Sequence, residues 1–145
     1  MWLLAITGRA IALALSSLLA LSLLVPTAAT ARSEVLSTAP SGVTFISGGI
    51  SEEGVDRLRG METDFNLKMV FALNNGEYVS DVKVQVVDPS GNVVLDTMTE
   101  GPWLLAKLPA GNYSVNATYG RATERRVVAV APAALKTVDF RWKAE

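Results

Sequence analysis

Residues 80–97 read SDVKVQVVDPSGNVVLDT, and residues 101–120 read GPWLLAKLPAGNYSVNATYG. Val82, Val84 and Val86 alternate with Asp81, Lys83 and Gln85. Tyr113, Val115, Ala117 and Tyr119 alternate with Ser114, Asn116 and Thr118. A period of two marks a strand with one face in a core and the other in water. The same period recurs outside these stretches, at Phe65, Leu67, Met69 and Phe71 and at Val138, Phe140 and Trp142. Less regular apolar runs at 92–97, 102–108 and 123–131 bring the total to about seven strands. The segments between them carry turn chemistry. Asn75-Gly76 is a hairpin signal, because both residues tolerate positive φ. Asp88-Pro89-Ser90-Gly91 and Leu108-Pro109-Ala110-Gly111 place proline where a type I turn wants it. Tyr119-Gly120-Arg121 marks a further reversal. Short strands punctuated in this way predict an all-β sandwich over 43–145.

One helix is predicted, over 51–61. The Ser51 hydroxyl can cap a free backbone N–H. Glu52 and Glu53 put negative charge in the first turn, where the helix dipole favours it. Ile50 and Val55 are spaced as a hydrophobic staple. Val55, Leu58 and Met61 form the apolar stripe, and Gly60 is suited to end the helix. Glu52, Glu53 and Asp56 read as a solvated face and not as a catalytic acid pair.

The stretches quoted first resemble the carboxypeptidase regulatory-like domain, a transthyretin-like (prealbumin-like) sandwich. The resemblance rests on the valine strand 82–86, the Asp88 to Gly91 turn, Trp103 after a glycine, the Leu108 to Gly111 turn and Tyr113. It covers about a third of the chain and implies a seven-stranded fold. It implies no activity, since such folds host unrelated functions. The helix at 51–61 and the strand at 65–73 depart from the family, standing in place of its opening Gly-x-Val strand. The chain is also similar to small bacterial exported proteins. The resemblance bears on WLLAKL, 103–108. Strict alternation with Lys107 outward would turn Trp103 and Leu105 outward too. The family pattern implies that both face inward, with a bulge before the Leu-Pro-x-Gly turn restoring the phase.

The N-terminal segment reads differently. Residues 11–25, IALALSSLLALSLLV, form a short apolar run behind Arg9, the only charge before Arg32. Pro26 follows, and Ala29 and Ala31 occupy the −3 and −1 positions of a small-residue cleavage site. This is the pattern of a secretory signal peptide over 1–31. It predicts export to the periplasm or beyond, with no stable membrane span after cleavage. The polar stretch 32–42 reads as a flexible leader.

Composition closes several routes. The chain has 145 residues, no histidine and no cysteine. Ser-His-Asp and Cys-His catalysis are therefore excluded, as are zinc sites built on His or Cys. The hydroxyisourate hydrolases and intradiol dioxygenases of related folds depend on histidines that are absent. No phosphate-binding loop and no D-x-D-x-D calcium run occur. The expectation is a non-enzyme with no catalytic, cofactor or metal residues. After Ala31 there are twelve Lys and Arg against fourteen Asp and Glu, which does not suit nucleic acid.

Arg121, Arg125 and Arg126 are the candidate contact surface, read against edge-strand charges that block aggregation. The aromatics Trp103, Tyr113, Tyr119, Phe140 and Trp142 read as core by parity, with a sugar-stacking platform as the alternative. The expected function is a non-catalytic binding or accessory domain of the bacterial envelope, contacting an envelope protein or glycan. The alternatives are an assembly protein pairing through a strand edge and a hydrolase using two converging carboxylates.

Overall fold

Alternation along the strands builds two sheets face to face. In a computed structural model, which describes residues 34–144, nine strands and one α-helix follow in order. They are β1 (Ser37–Thr38), β2 (Thr44–Gly48), α1 (Glu52–Met61), β3 (Leu67–Leu73), β4 (Lys83–Val87) and β5 (Val93–Met98). β6 (Trp103–Lys107), β7 (Gly111–Tyr119), β8 (Ala122–Val130) and β9 (Lys136–Trp142) complete the set. One sheet has the order β1-β2-β6-β3-β9, the other β5-β4-β7-β8. All pairings are antiparallel except β3 with β9, which is parallel. The described residues form an all-β sandwich with one short helix. The predicted signal peptide, 1–31, lies outside the described residues.

Among the described residues the strand count is nine and not seven. The two extra strands precede the helix. Val43-Thr44-Phe45-Ile46-Ser47 is rich in β-branched and aromatic residues, but it ends on Gly48-Gly49, which masks it as a strand. Ser37 and Thr38 pair with Phe45 and Thr44, and Ala39 is buried. Part of the predicted flexible leader, 32–42, is thus tied into the sheet edge.

The main core fills the space between the sheets. Leu67, Met69 and Phe71 of β3 meet Val84 and Val86 of β4, Tyr113, Val115 and Ala117 of β7, and Phe140 and Trp142 of β9. Phe71, Phe140 and Trp142 stack, with ring centroids 5.6–6.3 Å apart. The Tyr113 hydroxyl donates to Pro109 O at 2.7 Å, so the phenol is buried with its polar end satisfied.

A second core lies on the other face of the five-stranded sheet. Helix α1 covers it, and Ile46, Leu58, Phe65, Trp103 and Leu105 pack together there. This settles the phase of β6 and corrects the inward reading of Trp103. Its register runs unbroken from Thr44↔Lys107 to Gly48↔Trp103, with no bulge. Leu104 and Ala106 enter the main core, while Trp103 and Leu105 point away from it. Trp103 is nevertheless only 7% exposed, because the helix supplies the cover. The family pattern carries no such helix, which is why it misassigned the face. The Lys68 ammonium sits 3.7 Å from the Trp103 ring centroid and pairs with Glu62 at 2.5 Å, closing the rim of this core.

The helix forms largely as expected. Ser51 Oγ accepts from Gly54 N at 3.1 Å. The expected staple is not made, since Ile50 remains 67% exposed. Gly60 does not end the helix. It runs to Met61 and tightens into a 3₁₀ turn over Glu62–Asp64. At Asn75-Gly76 only the glycine takes positive φ, so the loop is three residues, 74–76, closed by Leu73 N on Glu77 O. At the Asp88 turn, Gly91 N donates to Asp88 O at 3.0 Å, and the ladder shifts register between Val86 and Val87.

Candidate functional site

A cleft opens at one end of the sandwich. Its wall on one side is the β7–β8 hairpin. Tyr119 pairs with Ala122 across a two-residue loop, Gly120-Arg121. Gly120 takes φ +60 at the first loop position, as a type II′ turn requires, and this lifts Arg121 to the rim. The opposite wall is the end of β9 with Lys143 and Ala144, beside Leu73 and Asn74 at the end of β3. Parallel pairing of β3 and β9 brings these ends together, since Leu73 lies opposite Trp142. Asn74 N donates to Trp142 O at 2.7 Å, and Trp142 Nε1 donates to Ala122 O at 3.1 Å. The indole therefore ties the two walls through the floor. Tyr119 leans on it at 5.7 Å and 49°. The cleft encloses about 860 Å³.

Its charges are uneven. Arg121, Arg141 and Lys143 line it, with Asp81 and Glu124. No carboxylate among the described residues lies within ion-pair distance of those three cations. Arg141 Nη1 donates to Leu73 O at 3.3 Å, which aims the guanidinium across the end of β3. Glu124 is engaged by Arg126 at 3.2 Å. Asp81 holds the only positive φ of a non-glycine residue among those described, +57, with its amide donating to Thr99 O at 3.0 Å. Aspartate tolerates that region better than most residues, and held backbones of this kind concentrate at ligand sites.

The three arginines singled out from sequence do not form one patch. Arg121 stands at the cleft. Arg125 lies on the outer face of β8 and donates to Ser114 Oγ at 3.1 Å. Arg126, one residue on, points to the opposite face, where it meets Glu124 and lies 5.7 Å from the Phe140 ring centroid. Successive strand residues diverge, so adjacency in sequence separates them in space. Arg141, Lys143 and Asp81 were missed. Arg141 and Lys143 flank Trp142 at outward positions, and the bond from the Trp142 indole to Ala122 O, which no local spacing encodes, brings that end of β9 beside the Gly120 turn.

Of the aromatics, Trp103, Tyr113, Phe140 and Trp142 are buried, and Tyr119 is half-buried at the cleft. Burial, reinforced by the negative charge of Asp88, raises the Tyr113 phenol above its ordinary value of 10.0. A smaller hollow of about 180 Å³ lies between Val35, Phe45 and Met98 at the β1–β5 side. Among the described residues no cluster of three Asp or Glu side chains could hold a metal ion. No family model matches this chain, and no curated protein matches it.

Proposed function

We propose that this chain is a non-catalytic binding domain of the bacterial cell envelope, and that its contact site is the cleft between the Gly120 turn and the end of β9. The cleft carries the reading: three cations that have no carboxylate partner among the described residues line a concave surface with an aromatic floor. A sandwich is a rigid scaffold, and loops at its ends are where such scaffolds carry contacts. Export rests on the N-terminal pattern of 1–31, and intact mass of protein from the envelope fraction would show a start at Arg32. Kinship with carboxypeptidase regulatory-like domains rests on the turn and strand residues between 82 and 113. It agrees with a binding role in asking for no catalytic residue.

The test compares the exported protein with an Arg121→Glu/Lys143→Glu variant. Both residues are on the surface, so the melting midpoint stays put. Retention of the wild type on envelope preparations, and its loss in the variant, supports the reading. Equal retention overturns it.

One observation favours a carboxylate hydrolase as the second reading: Asp81 and Glu124 line the same cleft. Against it, the Glu124 carboxylate is held by Arg126. Turnover of a glycoside or ester that disappears in both Asp81→Asn and Glu124→Gln would establish the hydrolase in place of the binding domain.

A further inference from the structure

We infer that the cleft takes an acidic saccharide, a sugar bearing a carboxylate or a phosphate. This rests on the cleft being the contact site. The inference starts from charge. Arg121, Arg141 and Lys143 face one opening, and of the two acids beside them Glu124 is already satisfied by Arg126. Low-dielectric walls concentrate the resulting positive potential within the cleft. Arginine forks match the geometry of carboxylate and phosphate oxygens, so an anionic group is the ligand's first requirement.

The remaining lining describes the rest of the molecule. A bare anion would leave most of about 860 Å³ empty. It would also leave the apolar part of the lining, Leu73, Tyr119 and Trp142 among it, uncovered. Asp81 supplies the third requirement. Its carboxylate has no cation partner among the described residues and stands in the same cleft as the three cations. A carboxylate accepts hydrogen bonds from hydroxyl groups and repels a second anion. A fatty acid or aromatic carboxylate would set hydrocarbon against Asp81. A sugar ring with one acidic group offers all three features at once: an anionic group for the arginines, hydroxyls for Asp81, and a C–H face for the half-buried Tyr119. The carboxylate and phosphate forms share this chemistry.

The experiment titrates four probes into the ¹⁵N-labelled protein, expressed at full length and purified after export. The probes are galacturonate trimer, glucose 6-phosphate, the neutral galactose trimer and inorganic phosphate. Amide shifts report the place of binding, and calorimetry reports the affinity. The expected result is saturable shifts at Gly120, Arg121, Ala122 and Lys143 with one of the acidic sugars. Which of the two binds tells carboxylate from phosphate. Neutral trimer and inorganic phosphate should bind at least ten-fold more weakly. Arg121→Gln with Arg141→Gln should weaken the acidic sugar ten-fold or more at an unchanged melting midpoint, and Arg125→Gln should leave it unchanged.

Where glucose 6-phosphate is the sugar that binds, equal binding of inorganic phosphate overturns the inference; where the galacturonate trimer binds, equal binding of the neutral trimer does, and so do shifts centred on the Arg125 face in either case. If neither acidic sugar moves the cleft amides while envelope retention is still lost in Arg121→Glu/Lys143→Glu, the saccharide is wrong and the cleft reading stands. If retention is also unaffected, the cleft reading fails with it.

Discussion

Replacing Leu58 with alanine strips the centre out of the core beneath α1. The side chain has no exposed surface and packs with Ile46, Phe65, Trp103 and Leu105. At about 0.8 kcal/mol per buried methylene the transfer loss is about 2–3 kcal/mol. A site that collapses incompletely adds a cavity cost and carries the total toward about 3–5 kcal/mol. Collapse is restricted here, because two of the neighbours, Trp103 and Leu105, belong to a strand hydrogen-bonded on both sides. For a domain of this size the loss corresponds to about 10–20 °C in melting midpoint. Glu53→Ala, on the exposed face of the same helix, removes only a 3.7 Å pair with Arg57 and should shift the midpoint by about 2 °C or less. Thermal melts followed by far-UV circular dichroism make the comparison. Leu105→Ala should be comparably costly, and the double variant should fall short of the sum, because the two side chains share one core. Equal midpoints for Leu58→Ala and Glu53→Ala would refute the second core, as would strict additivity of Leu58→Ala and Leu105→Ala for the claim that helix and strand share it.

Val84 has no exposed surface and Lys83 faces water, so Val84→Asp should cost about 3–5 kcal/mol and Lys83→Asp about 0.5 kcal/mol or less; urea titration of the two variants checks this. Ser51→Ala removes the bond to Gly54 N and should lower stability by about 1 kcal/mol, measured in the same way. The Tyr113 phenol is raised in the folded protein, so the unfolded chain loses that proton first. Its contribution is whole below about pH 10 and is lost as pH climbs through the raised value. Urea midpoints between about pH 9 and pH 11 should therefore fall. Tyr113→Phe should flatten that slope while costing about 1 kcal/mol for the bond to Pro109 O.

The parts of the fold legible in the sequence were those with one wet face. β4, β7 and β9 alternate cleanly because one side of each looks into the main core and the other into solvent. β6 does not alternate, since Trp103, Leu104, Leu105 and Ala106 are all buried, two on each face. A strand covered twice loses its period, and pairing it correctly needed knowledge of the helix above it. β1 escaped notice because two residues carry no period at all. The cleft was legible only in fragments. Arg121 stood out beside its turn, but Arg141 and Asp81 lie far from it in the chain, and their meeting follows from the packing of the β7–β8 hairpin against the end of β9, through Trp142 and Ala122, which local spacing does not encode.

The parallel β3–β9 pair also governs the order of events in folding. β3 sits inside the five-stranded sheet and needs two neighbours, β6 and β9, both supplied from later in the chain. Leu67 waits for Lys136, and Leu73 waits for Trp142. Until the ninth strand arrives, β3 presents a bare edge, and Phe71 lacks Phe140 and Trp142 against its ring. Closure of such long loops comes before any contact repays it, so the sandwich belongs among slow, high-contact-order folders. A chain emerging in order from its N-terminus stays open along this seam until its final strand is out, and the aromatic floor of the cleft is among the last features to assemble.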